Sequence, residues 1–119
     1  MIGDNNKQQS DVFVNCDDEH LGLMTRDDDI DRASRSLKAM SHPLRLKILC
    51  TLGSYELSVQ DIVEKVGTSQ SNISQHLAIL RDKGILASRK DANRVYYRVG
   101  DARTLRLVGM MRDVFCSIG

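Results

Sequence analysis

Apolar residues recur at helical spacing along the chain from about residue 28 onward. The first such segment predicts a helix from about Asp28 to Met40. Its apolar positions are Ile30, Ala33, Leu37 and Met40. Pro43 suits the first turn of a second helix. This helix is apolar nearly all round in its second half, so we expect it to be the central buried helix. Gly53 is expected to end it with a left-handed cap.

The next part of the chain predicts two short helices around a tight turn. Ser58, followed by Asp61, resembles a capping box and opens the first of them. Its apolar face is formed by Val59, Ile62, Val63 and Val66. A turn at Gly67 separates it from a helix that runs from Ser69 to about residue 83 and stops at Gly84. This order of elements is that of a helix-turn-helix.

Two β-rich segments and one more helix follow. Residues 85–90 and 95–99 predict the strands of a hairpin whose turn holds Asp91 and Asn93, residues that tolerate unusual backbone conformations. Asp101 then caps a last helix. Its apolar stripe consists of Leu105, Val108, Met111, Phe115 and Ile118. The predicted fold is mainly α with a small β-hairpin wing: a winged helix-turn-helix of about five helices and two to three strands.

The net charge of the chain hides two oppositely charged regions. The formal net charge is +1, but residues 1–28 hold seven acidic and two basic residues, whereas the remainder holds fifteen basic and nine acidic ones. We expect residues 1–27 to be a disordered acidic tail and residues 28–119 to form one basic domain, which suits a nucleic-acid partner. No secretory apolar segment or apolar run of about 20 residues occurs, so a cytoplasmic protein without a membrane partner is expected.

The helix predicted to begin at Ser69 has one apolar and one polar face. The apolar face consists of Ile73, Leu77 and Leu80, and we expect it to meet the core. The polar face consists of Ser71, Ser74, Gln75 and Ala78. Short uncharged side chains of this kind can bond to base edges in a major groove, and Gln pairs well with adenine. The plainer alternative is a polar surface helix. His76 lies on the flank, where the sequence favours neither core packing nor a DNA contact.

Four basic residues fall on the predicted hairpin: Arg89, Lys90, Arg94 and Arg98. Charges this close repel one another unless a polyanion such as DNA phosphate neutralises them, and the alternative is a solvated run of charge. Backbone amides at the start of the preceding helix can also bind a phosphate. The predicted DNA contacts are Ser69, Gln70, Ser71, Ser74, Gln75, His76, Arg89, Lys90 and Arg94.

A single helix of this kind contacts only a few base pairs. We therefore expect a homodimer that binds an inverted repeat in double-stranded operator DNA. The first and last helices lie outside the DNA-binding unit, and the stripe on the last helix is close to a heptad seam, although packing within one chain also explains it. The residues predicted for the dimer interface are Ile30, Leu37, Leu105, Val108, Met111 and Phe115.

The chain has three cysteines: Cys16, Cys50 and Cys116. In a reducing compartment they do not form a structural disulfide framework, so each is either a buried apolar side chain or a reactive thiol. Arg45 and Lys47 share the predicted helix of Cys50 and are candidates to favour its thiolate. No nucleophile, base and acid occur at a usable spacing, which argues against an enzyme.

Three segments of the chain resemble the ArsR/SmtB family of bacterial regulators: residues 41–49 (SHPLRLKIL), residues 69–77 (SQSNISQHL) and residues 89–99 (RKDANRVYYRV). The resemblance implies a homodimeric repressor that leaves its operator when an inducer binds. The metal ligands of the family are missing, because Ser58 and Gln60 stand where its thiolate site has cysteines, and the last helix contains no His. A metal sensor is therefore disfavoured, and no cofactor is expected.

The surroundings of Cys50 and Cys116 resemble the subgroup of this family that senses sulfane sulfur. The resemblance implies that a persulfide inducer links these two thiols through a chain of sulfur atoms, with Cys16 as an accessory. One alternative is the same repressor sensing arsenite, another thiophilic ion or oxidants in general. A second alternative, from a different class, is a winged-helix module that binds a protein rather than DNA.

Overall fold

A computed structural model describes residues 26–116 of the chain. Five helices and three strands follow one another in this part. They are α1 (Asp27–Met40), α2 (Pro43–Leu52), β1 (Leu57–Ser58), α3 (Val59–Val66), α4 (Gln70–Asp82), β2 (Leu86–Asp91), β3 (Arg94–Val99) and α5 (Ala102–Phe115). The architecture is a winged helix-turn-helix, so the fold predicted from the sequence is confirmed.

The described residues fall into two compact units, 26–35 and 36–116. The first holds most of α1, whose first turn carries Asp27, Asp28 and Asp29 and so complements the positive end of the helix dipole. The second holds all the remaining elements. The predicted boundary between residues 27 and 28 stays a prediction, although Asp27 already lies within α1.

The predicted helix ends are mostly confirmed by local hydrogen bonds. Ser58 Oγ accepts a hydrogen bond from the Asp61 amide at 3.1 Å, which caps α3. At the end of α4, Gly84 has a φ of 77°, and the Ile85 amide donates to the Leu80 carbonyl. This arrangement is a Schellman motif. The left-handed cap predicted for Gly53 is wrong, because its φ of 53° is combined with a ψ of −129°, outside the left-handed helical region.

The three strands form an antiparallel sheet in the order β1-β3-β2. Only residues 92 and 93 separate β2 from β3, and it is Ala92 that adopts a positive φ of 57°, rather than the Asp or Asn expected to do so. The pairing of Arg89 with Tyr96 places Arg89, Arg94 and Arg98 on one face of the hairpin. Because side chains alternate along a strand, Lys90 lies on the other face.

The apolar core lies within residues 36–116. It consists of Ala39, Met40, Ile48, Leu49, Leu52, Ile62, Val66, Ile73, Leu77, Leu80, Ile85, Leu86, Tyr97, Val99 and Val108. The three apolar residues of α4 are fully buried, which confirms the predicted inward face of that helix. Ser58 is the one buried polar side chain among the described residues, and its cap bond to Asp61 satisfies it.

The apolar residues of α5 that face the core and those that are exposed differ from the single stripe predicted from the sequence. Val108 is buried, and Leu105 and Met111 pack against the core of the same chain. The apolar side chains that α5 leaves exposed are Leu107, Met110, Val114 and Phe115. Three of the predicted interface residues thus have an intramolecular role in this structure. Phe115, Ile30 and Leu37 are exposed, whereas Ile118 lies outside the described residues.

Candidate nucleic-acid interface and thiol pocket

The outward face of α4 carries Ser71, Ser74 and Gln75, all exposed. We call these three residues the recognition face. Ala78, also predicted to face outward, is half-buried. Ser69 and Gln70 are exposed at the start of the helix, but Ser69 Oγ already accepts the Asn72 amide as the helix cap. The recognition face therefore offers hydroxyl and amide groups, which are able to bond to base edges, and no charge.

His76 belongs to an intramolecular cluster beside the recognition face. Its ring lies 4.5 Å from the His42 ring, measured between centroids, and its Nδ1 is 3.2 Å from an Arg45 guanidinium nitrogen. Because a guanidinium only donates, Nδ1 accepts, and the neutral imidazole carries its proton on Nε2. Burial, followed by the charges of His42 and Arg45, lowers the pKa of His76. The structure therefore favours the packing interpretation of His76.

The hairpin of β2 and β3, which we call the wing, carries fewer unneutralised cations than the sequence indicated. Arg89 donates to both carboxylate oxygens of Glu56 at 2.8–3.0 Å, and its guanidinium lies 4.7 Å from the centre of the Tyr96 ring. This bond lowers the pKa of the Glu56 carboxyl and raises the pKa of Arg89. The prediction that a polyanion is needed to neutralise the wing cations is therefore wrong for Arg89.

The remaining wing cations are Lys90, Arg94 and Arg98. All three are exposed, and none forms an ion pair within residues 26–116. Arg94 is at the tip of the wing, where β3 begins, and Lys90 lies near the tip on the opposite face. At these positions the two side chains can reach phosphates on either side of the hairpin when its tip lies in a DNA groove.

Cys50 and Cys116 are both exposed, so neither is the buried apolar side chain of the plainer alternative. Cys50 contributes to the wall of a cavity of about 170 Å³ between α2 and α5. The other lining residues are Leu49, Gly53, Leu105, Val108, Gly109 and Arg112. Cys116 caps α5, and its amide donates to the Arg112 carbonyl at 2.7 Å, so it lies one turn beyond this thiol pocket. Cys16 lies outside the described residues.

Arg112 is the cation that lines the thiol pocket, and it was not predicted from the sequence. The two cations proposed instead are bound elsewhere: Arg45 donates to the Ala39 carbonyl and contacts His76, and Lys47 donates to the Val66 carbonyl at 3.3 Å. The sequence did contain one indication of Arg112: it precedes Cys116 by four residues, a spacing that places both residues on one side of α5.

No group of three or more His, Cys, Asp and Glu side chains in residues 26–116 is arranged to hold a metal ion. None of the helices in this part of the chain has the length and apolar character needed to cross a membrane.

Comparison with known proteins shows a family match and several similar regulators. Residues 42–88 match a family described as bacterial regulatory protein, arsR family. A biofilm growth-associated repressor of Xylella fastidiosa is 37% identical over 103 residues, which cover 84% of this chain and 90% of that protein. The transcriptional activator HlyU of Vibrio cholerae is 38% identical over 81 residues, which cover 68% of this chain and 75% of that protein. A solved HlyU structure from that species has a TM-score of 0.73 and 35% identity, covering 76% of this chain and 99% of that one.

The lowered pKa of His76 predicts a pH-dependent stability. Folding reduces its proton affinity, so the stability associated with neutral His76 is present above the unfolded pKa near 6.5 and is lost as the pH falls below that value. The melting temperature of the His76→Gln variant should therefore fall less than that of the wild type between pH 7.5 and pH 5.5. Loss of an imidazole outside the described residues, in His20→Gln, serves as the control. If the melting temperatures of wild type and His76→Gln depend on pH in the same way, the lowered pKa of His76 is contradicted.

Proposed function

Because the chain belongs to the arsR family of bacterial regulatory proteins, we propose that it is a transcriptional repressor. In this proposal it binds operator DNA as a homodimer and leaves the DNA when a persulfide modifies Cys50 and Cys116. Repression, rather than activation, is favoured by the name of the Xylella fastidiosa relative. The name of HlyU makes activation the alternative outcome of a transcription assay.

The observation that carries the DNA-binding proposal is the recognition face. A surface helix facing only solvent commonly bears Lys and Glu, whereas Ser71, Ser74 and Gln75 are short, uncharged and exposed. The second helix of a helix-turn-helix enters the major groove with such a face. Lys90 and Arg94 near the wing tip add phosphate contacts, each of which steepens the salt dependence of binding by roughly 0.9 in log K per log salt.

The exposed apolar row of α5 supports the homodimer. Leu107, Met110 and Val114 are 42%, 61% and 64% exposed, and their spacing of three and four residues places them on one side of the helix. Phe115, at the end of this helix, is 81% exposed. A second copy of α5 would cover this row in the manner of a heptad seam. The proposed interface therefore keeps Phe115 and otherwise differs from the α5 residues predicted from the sequence.

Persulfide sensing is proposed for the thiol pocket. A Cys50 thiolate attacks the outer sulfur of a persulfide, R–S–SH, releases the thiolate R–S⁻ and becomes Cys50–S–SH. Cys116 reacts in the same way with a second persulfide. The terminal sulfur of one cysteine persulfide then attacks the inner sulfur of the other, which forms a trisulfide bridge and expels HS⁻. No further oxidant is required, because the persulfides bring the oxidised sulfur.

We infer that Arg112 gives the thiol pocket a preference for anions, although its guanidinium also lies 3.7 Å from the exposed Asp113 carboxylate. Thiolate attack on R–S–SH brings two like charges together when the R group carries a carboxylate, which is unfavourable. A guanidinium in the same pocket attracts the donor and offsets that repulsion. The rest of the wall, apart from Cys50, consists of apolar side chains and two glycines, so the pocket is suited to a small donor.

Linking Cys50 to Cys116 would connect α2 with the end of α5. Because α2 packs against both α3 and α4, a bridge that displaces α2 displaces the helix-turn-helix as well. In a dimer this changes the spacing of the two recognition faces. A loss of only about 1.4 kcal/mol in binding free energy reduces operator affinity tenfold.

The cysteine variants test the proposed function. Reduced wild type, Cys50→Ser and Cys116→Ser should bind duplex DNA from the gene's own upstream region equally well. An organic persulfide should weaken only the wild type, by at least about tenfold, with a mass gain of about 30 Da for one sulfur gained and two hydrogens lost.

Three results of this experiment, repeated with arsenite in place of the persulfide, would contradict the proposal. A reduced wild type that ignores duplex DNA would favour a protein-binding module. A stable arsenite adduct that releases DNA, without any response to persulfide, would favour a thiophilic-ion sensor. Serine variants that lose DNA binding when reduced would make the cysteines structural.

The Met110→Glu variant tests the dimer interface. A carboxylate in the exposed row of α5 has no partner when two copies of that row meet, so we expect a monomer with operator affinity reduced at least about tenfold. Ala102→Glu places the same side chain at the exposed first position of α5, about two turns before Met110 and about 80° away around the helix. Light scattering gives the oligomeric state of each variant, and a dimeric Met110→Glu would refute this interface.

The Arg112→Gln variant tests the pocket cation. Modification of Cys50 by an anionic organic persulfide should slow by about tenfold, because the charge attraction is lost. The rate with an uncharged organic trisulfide should stay close to the wild-type value. Arg106→Gln removes a charge from the same helix outside the pocket and should behave as wild type with both donors. Equal slowing of Arg112→Gln with both donors would instead indicate a structural effect.

A further inference from the structure

The side chain of Arg89 crosses the three-stranded sheet from one edge to the other. Arg89 belongs to β2 and pairs with Tyr96 of the central strand β3, over whose ring its guanidinium lies at 4.7 Å. Beyond that ring its Nε and Nη2 atoms donate to Glu56, the residue immediately before β1. Because the strand order is β1-β3-β2, the side chain reaches from one edge of the sheet to the other.

The acceptor of this bond lies beside the helix-turn-helix. Glu56 is two residues before Ser58, whose side chain caps α3, the first helix of that motif. The short strand β1 between them pairs with β3 through Leu57 and Ser58. The bond from Arg89 therefore ties the outer strand of the wing to the start of α3.

We propose that Arg89 is a positioning residue that holds the wing at a fixed angle to α3 and α4, so that wing and recognition face dock on DNA as one rigid body. Arg89 then contributes no phosphate contact of its own. This assignment rests on the proposed DNA-binding function, and it differs from the sequence prediction, which placed Arg89 among the DNA contacts.

Three features favour positioning over phosphate binding. The guanidinium meets the Glu56 carboxylate through both Nε and Nη2, which is the geometry that best matches the two groups. Stacking on Tyr96 restricts the rotation of the side chain. A phosphate that took Arg89 away would remove the hydrogen-bonding partner of the half-buried Glu56 carboxylate and leave it only the charge of Arg98 close to a polyanion, which is unfavourable.

The salt dependence of operator binding separates the two roles. If Arg89 only positions the wing, Arg89→Gln and Glu56→Gln each weaken operator binding by about threefold, a size appropriate to an exposed ion pair. Both variants should keep the wild-type slope of log K against log salt, since no phosphate contact is lost. The double variant should bind no more weakly than either single one, because both substitutions remove the same bond.

Two control variants calibrate these measurements. Arg94→Gln, at the tip of the wing, should reduce the salt slope by about 0.9, the value for one phosphate contact. Glu64→Gln, at an exposed position of α3, reports the effect of removing one negative charge from the protein. Circular dichroism and melting temperatures establish that each variant is folded before its affinity is measured.

The opposite results would overturn the assignment. If Arg89 binds phosphate and Glu56 competes for it, Glu56→Gln tightens binding beyond the effect of Glu64→Gln, and Arg89→Gln lowers the slope by about 0.9. Unchanged affinity in both single variants would equally refute a positioning role. A wild type that does not bind duplex DNA would refute the proposed function instead, so the two failures are distinguishable.

Discussion

The complete burial of Ile73, Leu77 and Leu80 is the constraint on which the rest of the structure depends. They occupy one side of α4, and burying each apolar side chain contributes about 1.5–3 kcal/mol relative to exposure. A rotation of α4 about its own axis would expose them. The core therefore fixes the direction of the opposite side, and Ser74 and Gln75 are presented outward without a side-chain hydrogen bond to any other residue of 26–116. A recognition face built in this way stays free to bond to a ligand.

The helix α2 connects that core with the thiol pocket. Leu49 and Leu52 are buried, while Cys50 is exposed and lines the cavity beside α5. Neighbouring residues on a helix point about 100° apart, so one helix can contribute both to the core and to a reactive surface. In the proposed mechanism this arrangement couples modification of Cys50 to the position of the helix-turn-helix, because α2 packs against α3 and α4 and cannot shift without them.

The wing illustrates how a count of charges differs from the charges that a ligand meets. The sequence shows four basic residues within ten positions, yet Arg89 is neutralised by Glu56, which precedes it by 33 residues. The hairpin register then separates Lys90 from Arg94 and Arg98 by placing them on opposite faces. Cations therefore remain exposed on both faces of the wing. The bond from Arg89 to Glu56 links the wing to the segment just before the helix-turn-helix.

The sequence by itself determined the features that depend on neighbours three or four residues away. The caps at Ser58 and Gly84 and the two faces of α4 follow from local backbone bonding and helical period, so they were predictable. Only the tertiary structure decided which side of α5 the core covers, and thus that Val108 is buried while Met110 is exposed. The same holds for the approach of Glu56 to Arg89 and of Arg112 to Cys50. These contacts join residues far apart in the chain, and the packing of whole elements, rather than local periodicity, brings them together.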